Sequence, residues 1–461
     1  MPKDRQQLLV DSLRRLLRRG AEPHLRRVLD KSRAEDLSLA LGELRLREAR
    51  HILALLLATP ERAAAVVSGY EASLDDLFEG LTVSELSPVF VHLASDDAAD
   101  ILPSLPEELR EGILEALEDE EQEGIEELMQ FAEDSAGGIM STDLFSVDQE
   151  LTARETIVQL QDSPKAELVF YVYCVNEEGT LVGVLSLRQL LLVAPSTQVK
   201  EIMQSDVLSV PLTKDQEEVA RIVARYDLLA VPVVDEFNKL VGIITVDDVI
   251  DVLQDEAGED MMLMAGVGDE EAATASTGQA VRTRLPWLLA SVGGGVAAAV
   301  LIGSFKEELV KATVLAAFIP IVMGLGGNVG VQASTIVVRG IAMGQLDPSK
   351  FFSALFYEFR VVSVIALICA AIVAGVAFSM SGILVQGEAT AALDPFRLAG
   401  AVSTSLLVVM VFGATLGTSV PLISHRVGID PAVATGPILT TSIDVVGVLL
   451  YFLISVAWLG L

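Results

Sequence analysis

Two hydrophobic rhythms divide the chain near Arg282. From about Leu8 to Phe131, Leu, Ile, Val and Ala recur every three or four residues between charges, as in LSPVFVHLASDDAADILPSLPEELREGILEAL. That spacing predicts short amphipathic helices in succession. Pro88, Pro103 and Pro106 fall where starts and stops are expected, so the region reads as an array of helical hairpins with acidic outer faces. Beyond Arg282 the polar beats disappear. Apolar stretches run from Leu285 to Ile302, about Thr313 to Met343, about Phe359 to Met380, about Phe396 to Leu416 and about Ala432 to Leu459. Each suits the roughly 20 residues of a bilayer-spanning helix, so five spans are predicted.

Between the two regions the pattern shortens and repeats. VYCVNEEGTLVGVLSLRQLLLV from Val172 lies over VPVVDEFNKLVGIITVDDVIDV from Val231 at an offset of 59 residues. Upstream, GIMSTDLFSVDQELTARETI matches EIMQSDVLSVPLTKDQEEVA at an offset of 63. Each copy predicts an extended lead-in, a helix, two strands and a helix, with EEGT or EFNK at the hairpin turn. Each copy resembles a CBS motif, and together they resemble the paired CBS module of ligand-sensing regulators. Such pairs commonly bind adenosyl nucleotides, which makes ATP a candidate ligand, although an acidic module offers few basic contacts for its phosphates.

Charge sharpens the division. The net charge is −32, yet Val281 to Leu461 holds nine Lys/Arg against eight Asp/Glu. Residues 1–60 hold thirteen against eight, leaving ten against forty-eight in residues 61–280, a balance of −38. Such a field repels nucleic acid and attracts cations, and it opposes compaction unless counter-ions offset it. The Arg pairs at Arg14, Arg15, Arg18, Arg19, Arg26 and Arg27 suit either lipid headgroups or a solvated helix face. The first thirty residues lack the apolar core of a signal peptide, so the head is expected in the cytosol. Positive charge agrees: Arg282, Arg284, Arg339, Lys350, Arg360 and Arg426 then lie in inner loops, against Lys306, Lys311 and Arg397 outside. Cys174 and Cys369 have neither disulfide nor zinc spacing.

Within the spans one carboxylate stands well inside an apolar run, Asp444 in GPILTTSIDVVGVLLYF. A charge at a helix centre costs about 2.5 to 3.5 kcal/mol on insertion scales, so Asp444 reads as functional or as satisfied by Thr440, Thr441 or Ser442 within one turn. In MGLGGNVGVQAST, Gly324, Gly326, Gly327 and Gly330 surround Asn328 and Gln332. These glycines either break the helix and free carbonyls for a cation or let neighbouring helices approach closely. Asp444, Gly436, Thr440 and Asn328 are the candidate pore-lining residues. Oxygen ligands without sulfur or imidazole favour a hard cation, and one carboxylate per subunit suits a largely hydrated Mg²⁺; Ca²⁺, Mn²⁺ and Co²⁺ stay open.

The whole chain resembles the MgtE family of magnesium channels. EDSAGGIM, RYDLLAVPVVDE, VGIITVDDVIDV, RLPWLL, GGNVGVQAST and GIDPAVATGPILTTSIDVVG carry the resemblance in order and spacing. It implies a multidomain integral membrane protein: an acidic all-α N domain (1–134), an α/β CBS pair (135–254), a connecting plug helix and linker (255–281) and a five-helix pore domain (282–461). It also implies a homodimer with its pore between subunits in the bacterial inner membrane, Asp444 as the selective carboxylate, and closure by intracellular Mg²⁺. The regulatory carboxylates matched are Asp97 and Asp100, with Asp96 as an alternative, then Asp215, Glu217, Asp227, Asp248, Asp251, Glu256, Glu259, Asp260 and Asp430. The stretch GVGDEEAATASTGQAVRT at residues 266–283 matches no family motif.

Two other readings compete. Asp444 also suits a proton- or sodium-coupled carrier of divalent cations. A membrane-anchored nucleotide sensor would explain the CBS pair but not Asp444. An enzyme is not expected, because His24, His51, His92 and His425 are scattered and no nucleophile motif or Walker-type loop occurs.

Overall fold

A computed structural model describes residues 3–70, 73–163, 170–267, 277–384 and 394–461. The chain divides into two compact units, Met1–Val252 and Leu253–Leu461.

The first unit opens with ten short helices, from α1 (Lys3–Arg18) and α2 (Glu22–Lys31) through α8 (Ser95–Ile101) to α10 (Asp119–Leu128). They form because apolar residues recur at helical spacing and polar residues stand at the ends; the side chain of Ser73 and the pair Thr82 with Glu85 cap two of them. Their inward stripes, Leu13, Leu41, Ile52, Leu53 and Phe78 among them, are buried in one core.

Two three-stranded sheets follow. Strands β1 (Ser146–Asp148), β2 (Tyr171–Val175) and β3 (Leu181–Ser186) form one, β4 (Val210–Pro211), β5 (Ala230–Val234) and β6 (Leu240–Thr245) the other, each with a parallel then an antiparallel pairing. The duplication is visible in register: Val172 faces Leu185, and Val231 faces Ile244, 59 residues on in both strands. Gly179 and Asn238, also 59 apart, take positive φ at the hairpin turns, as tight turns require. The copies differ in what they pack on. The second shares the N domain's core through Val210, Val219, Val223, Val231 and Ile244, whereas the first has its own around Val172, Leu185 and Leu190.

Helix α15 (Val246–Met264) continues straight from β6 across the boundary between the units. Among the described residues the second unit contains five helices long and apolar enough to cross a membrane: α16 (Thr277–Ser304), α18 (Ile319–Ala342, extended back to Thr313 by a 3₁₀ turn), α19 (Phe351–Leu384), α20 (Pro395–Val427) and α21 (Pro437–Leu459). The count of spans agrees with the sequence, but α19 starts eight residues earlier than expected and α20 ends eleven later. The Tyr451 hydroxyl donates to the Leu315 carbonyl at 2.8 Å, and Phe305 stacks on Phe452 with ring centroids 4.7 Å apart.

The glycine-rich segment decides between its two readings. Residues 319–342 form one uninterrupted α-helix, so GGNVGVQ does not unwind. Gly326 and Gly330 on α18 instead meet Gly413 and Gly417 on α20, each pair four residues apart. A methyl on Gly413 would stand 2.5 Å from the Gly326 carbonyl oxygen, and one on Gly417 would strike the Gly330 oxygen. Small residues at this spacing let two backbones touch, which is how helices associate in lipid.

Candidate functional site

The carboxylates fall into three groups, one in the membrane-spanning helices and two in the first unit and along α15.

Asp444 is half-buried two turns into α21. Its Oδ1 lies 3.9 Å from the point where a Cβ on Gly327 would stand, so α18 presents bare backbone to it. The hydroxyls one turn away serve their own helix: Thr440 Oγ1 donates to the Gly436 carbonyl at 3.4 Å and Ser442 Oγ to that of Ile438 at 2.8 Å. Among the described residues no hydrogen bond or ion pair holds the Asp444 carboxylate, which disfavours a purely structural role. Asn328 is exposed on the single chain, and Gly436 is buried. One membrane carboxylate escaped the sequence reading: Glu358, only 9% exposed, is in the second turn of α19. The earlier helix start would have revealed it.

At the foot of α21 the chain meets the end of α15. A Cβ on Gly436 would lie 3.0 Å from the Met264 carbonyl oxygen, and Gly266, at φ +71°, packs on Pro437. Nearby, Asp430 accepts the Ala432 amide at 2.8 Å and caps the turn that leads into α21. Residues 268–276, half of the unmatched linker, lie outside the described residues.

In the first unit, α8 aims Asp96, Asp97 and Asp100 at the first turn of α15, where Thr245 caps the helix by bonding both Asp247 and Asp248. Burial, then the charges of Asp248 and Asp97, pushes Asp96 up to about 7. One Asp96 oxygen is buried without a hydrogen-bond partner. Burial and the neighbours Asp97, Glu133 and Asp248 raise Asp100 to about 6, although its exposed edge lets water screen part of that crowding. Asp97 and Asp248 are likewise raised, chiefly by burial, and each feels an aspartate opposite. These are like charges held facing one another. Among the described residues no three side chains converge closely enough to chelate an ion by themselves. The arrangement is therefore a crowded acidic seam, which a proton or a hydrated divalent cation relieves.

Asp96, Asp97, Asp100 and Asp248 thus lie near one another, with Asp247 and Glu133 beside them. The remaining candidates lie apart. Asp215 caps α14 (Gln216–Tyr226), accepting the amides of Glu217 at 3.0 Å and Glu218 at 3.3 Å. Glu217 pairs with Arg221, and Asp227 ends that helix in a left-handed conformation. At about 1.5 Å per residue, Asp215 and Asp227 are roughly 18 Å apart and cannot share an ion within one chain. Asp251, Glu256, Glu259 and Asp260 follow Asp248 along α15, and all four have interaction partners.

Comparison with known proteins places these elements. The divalent cation transporter domain MgtE matches residues 319–454, the MgtE intracellular N domain matches 32–134, and CBS domains match 136–195 and 199–255. A magnesium transporter MgtE from Thermus thermophilus is 32% identical over 454 residues, 97% of this chain and 98% of that protein. Its counterpart from Bacillus subtilis is 37% identical over 333 residues, 72% of this chain and 71% of that protein. Among solved structures, the cytosolic domain of the Mg²⁺ channel MgtE in complex with ATP is 37% identical, with a TM-score of 0.49 over 53% of this chain and 99% of that one.

Proposed function

Since the chain belongs to the MgtE family of magnesium transporters, a multi-pass membrane family with cytosolic N-terminal domains, we propose that it is a Mg²⁺ channel for uptake across the bacterial inner membrane, closed by intracellular Mg²⁺. The observation that carries the gating half is the seam of Asp96, Asp97 and Asp100 against Asp247 and Asp248. Held together, these groups repel unless a cation lies between them, so ion binding and docking of the N domain on the second CBS motif are linked quantities. Abundant cytosolic Mg²⁺ favours the docked state. Scarce Mg²⁺ lets the carboxylates separate. Helix α15 carries Asp247 and Asp248 in its first turn and ends against Gly436, the residue before α21, so the gate has a continuous connection to the helix that bears Asp444.

Asp444 supplies the selective half. Mg²⁺ parts with its waters reluctantly and is usually held through one or two carboxylates, so a lone aspartate beside bare backbone at Gly327 suits a hydrated ion better than a tight cage. One such carboxylate per chain, with Asn328 facing outward, supports a homodimer whose pore lies between the subunits. ATP at the CBS pair fits this scheme as a modulator that shifts the Mg²⁺ concentration needed for closure.

The test is Mg²⁺ flux into proteoliposomes with Mg²⁺ varied on the cytosolic face. Wild type should carry a flux that internal Mg²⁺ suppresses, and Asp444→Ala should lower it at least about tenfold while the protein stays folded. A flux that follows an imposed proton or sodium gradient would replace the channel with a coupled carrier. No flux from folded wild type, with tight nucleotide binding, would leave a nucleotide sensor.

A further inference from the structure

We propose that α1 and α2 form an electrostatic footing for the anionic headgroups of the bilayer in which this chain's own spans sit. Between Gln6 and Lys31 seven basic residues meet three acidic ones, Asp11, Glu22 and Asp30, in a chain where acids as a whole outnumber bases two to one. Arg15, Arg18, Arg19, Arg26 and Arg27 are exposed, and none of their side chains makes a hydrogen bond or ion pair among the described residues. The contrast is local. Arg14 donates to the Glu43 carbonyl at 2.6 Å, Arg50 pairs with Glu79, and Arg62 donates to the carbonyls of Leu29 and Ser32. With so many carboxylates available, five neighbouring guanidiniums left unpaired form a surface complementary to a polyanion that comes from elsewhere.

Shape narrows the choice. Asp11, Arg14, Arg15, Arg18 and Arg19 line an open depression of about 430 Å³. Leu8, 65% exposed, stands on the same stripe of α1 as Arg15 and Arg19 at helical spacing, so an apolar foot accompanies the charges. A basic helix face with an exposed leucine suits a lipid interface, where the guanidiniums meet phosphates and the leucine enters the acyl boundary. Nucleic acid offers no place for the leucine and would meet the −38 charge of residues 61–280. The bilayer is also tethered to the chain, so even weak attraction is amplified by high effective concentration.

Amide hydrogen exchange on the full chain in nanodiscs tests this. Residues 6–31 should exchange several-fold more slowly in discs containing phosphatidylglycerol than in discs of phosphatidylcholine alone. High salt should abolish the difference, as should replacing all five arginines, R15Q, R18Q, R19Q, R26Q and R27Q, while exchange across α14 stays unchanged as a control for folding. Equal exchange in both lipids overturns the proposal, since any protection would then come from the protein itself or a second copy. Equal protection in neutral discs on adding inorganic phosphate or polyphosphate also overturns it, in favour of a soluble anion.

Discussion

Asp96 shows how one side chain ties pH to ion binding. Its carboxyl, near 4 when free, titrates at about 7 in the docked arrangement. The docked form therefore holds the extra proton: docking is favoured at low pH and loses that support as pH rises through about 7. On the proposed gating, a cation takes over where the proton leaves. Without divalent ions, thermal stability of the purified protein should fall between about pH 4 and 7, and the rise caused by Mg²⁺ should be larger at pH 8 than at pH 6. A Mg²⁺ effect independent of pH would remove Asp96 from the seam. Replacing it by Asn keeps the shape and removes the charge, so Asp96→Asn should be more stable than wild type in EDTA and gain less from Mg²⁺. Differential scanning fluorimetry reads both. Asp97, Asp100 and Asp248 were reached through the family resemblance carried by SDDAAD and VDDVID, whereas Glu133 was not, since its place opposite Asp100 is created only when residues distant in the chain meet.

At the level of elements the spans and the 59-residue repeat were readable, because hydrophobicity and period need no tertiary information. Their limits were not. Helices α19 and α20 run on through mixed stretches, FFSALFYE before Phe359 and GTSVPLISHR after Leu416, because polar residues scattered among apolar ones interrupt the hydrophobic run without interrupting the intrahelical hydrogen bonds. The glycines of α18 looked equally suited to breaking a helix and to packing one, and only the approach of α20 distinguishes the two. That approach is testable. Gly417→Val inserts a branched side chain against the Gly330 carbonyl and should destabilise the α18–α20 pair by about 1 to 3 kcal/mol, seen as earlier unfolding in detergent, whereas Gly375→Ala, where no atom crowds the added methyl, should be near neutral. At the foot of α21, Gly436→Ala forces a methyl to within 3.0 Å of the Met264 carbonyl and should loosen the end of α15, leaving flux at Mg²⁺ concentrations that silence wild type. Wild-type closure in that variant would show that this contact is not part of the gate.

For the molecule as a whole, the charge balance is a requirement for counter-ions. A head with −38 between residues 61 and 280 packs only as well as its cations allow, so removing divalent ions should affect the first unit more than the apolar second one. Calorimetry with and without EDTA should show the transition of the first unit moving down by several degrees while that of the second moves less. The unequal packing of the two CBS copies adds something that charge alone would not. Because the second copy and the N domain bury Val219, Val231 and Ile244 in one common core, any ion release that parts them wets hydrocarbon as well as freeing carboxylates. Water ordered around such surface stores heat, at about 0.45 cal/K/mol for each Å² exposed. On the proposed linkage, magnesium binding should then carry a negative heat-capacity change, and its enthalpy should slope with temperature, making closure depend on warmth as well as on ion concentration.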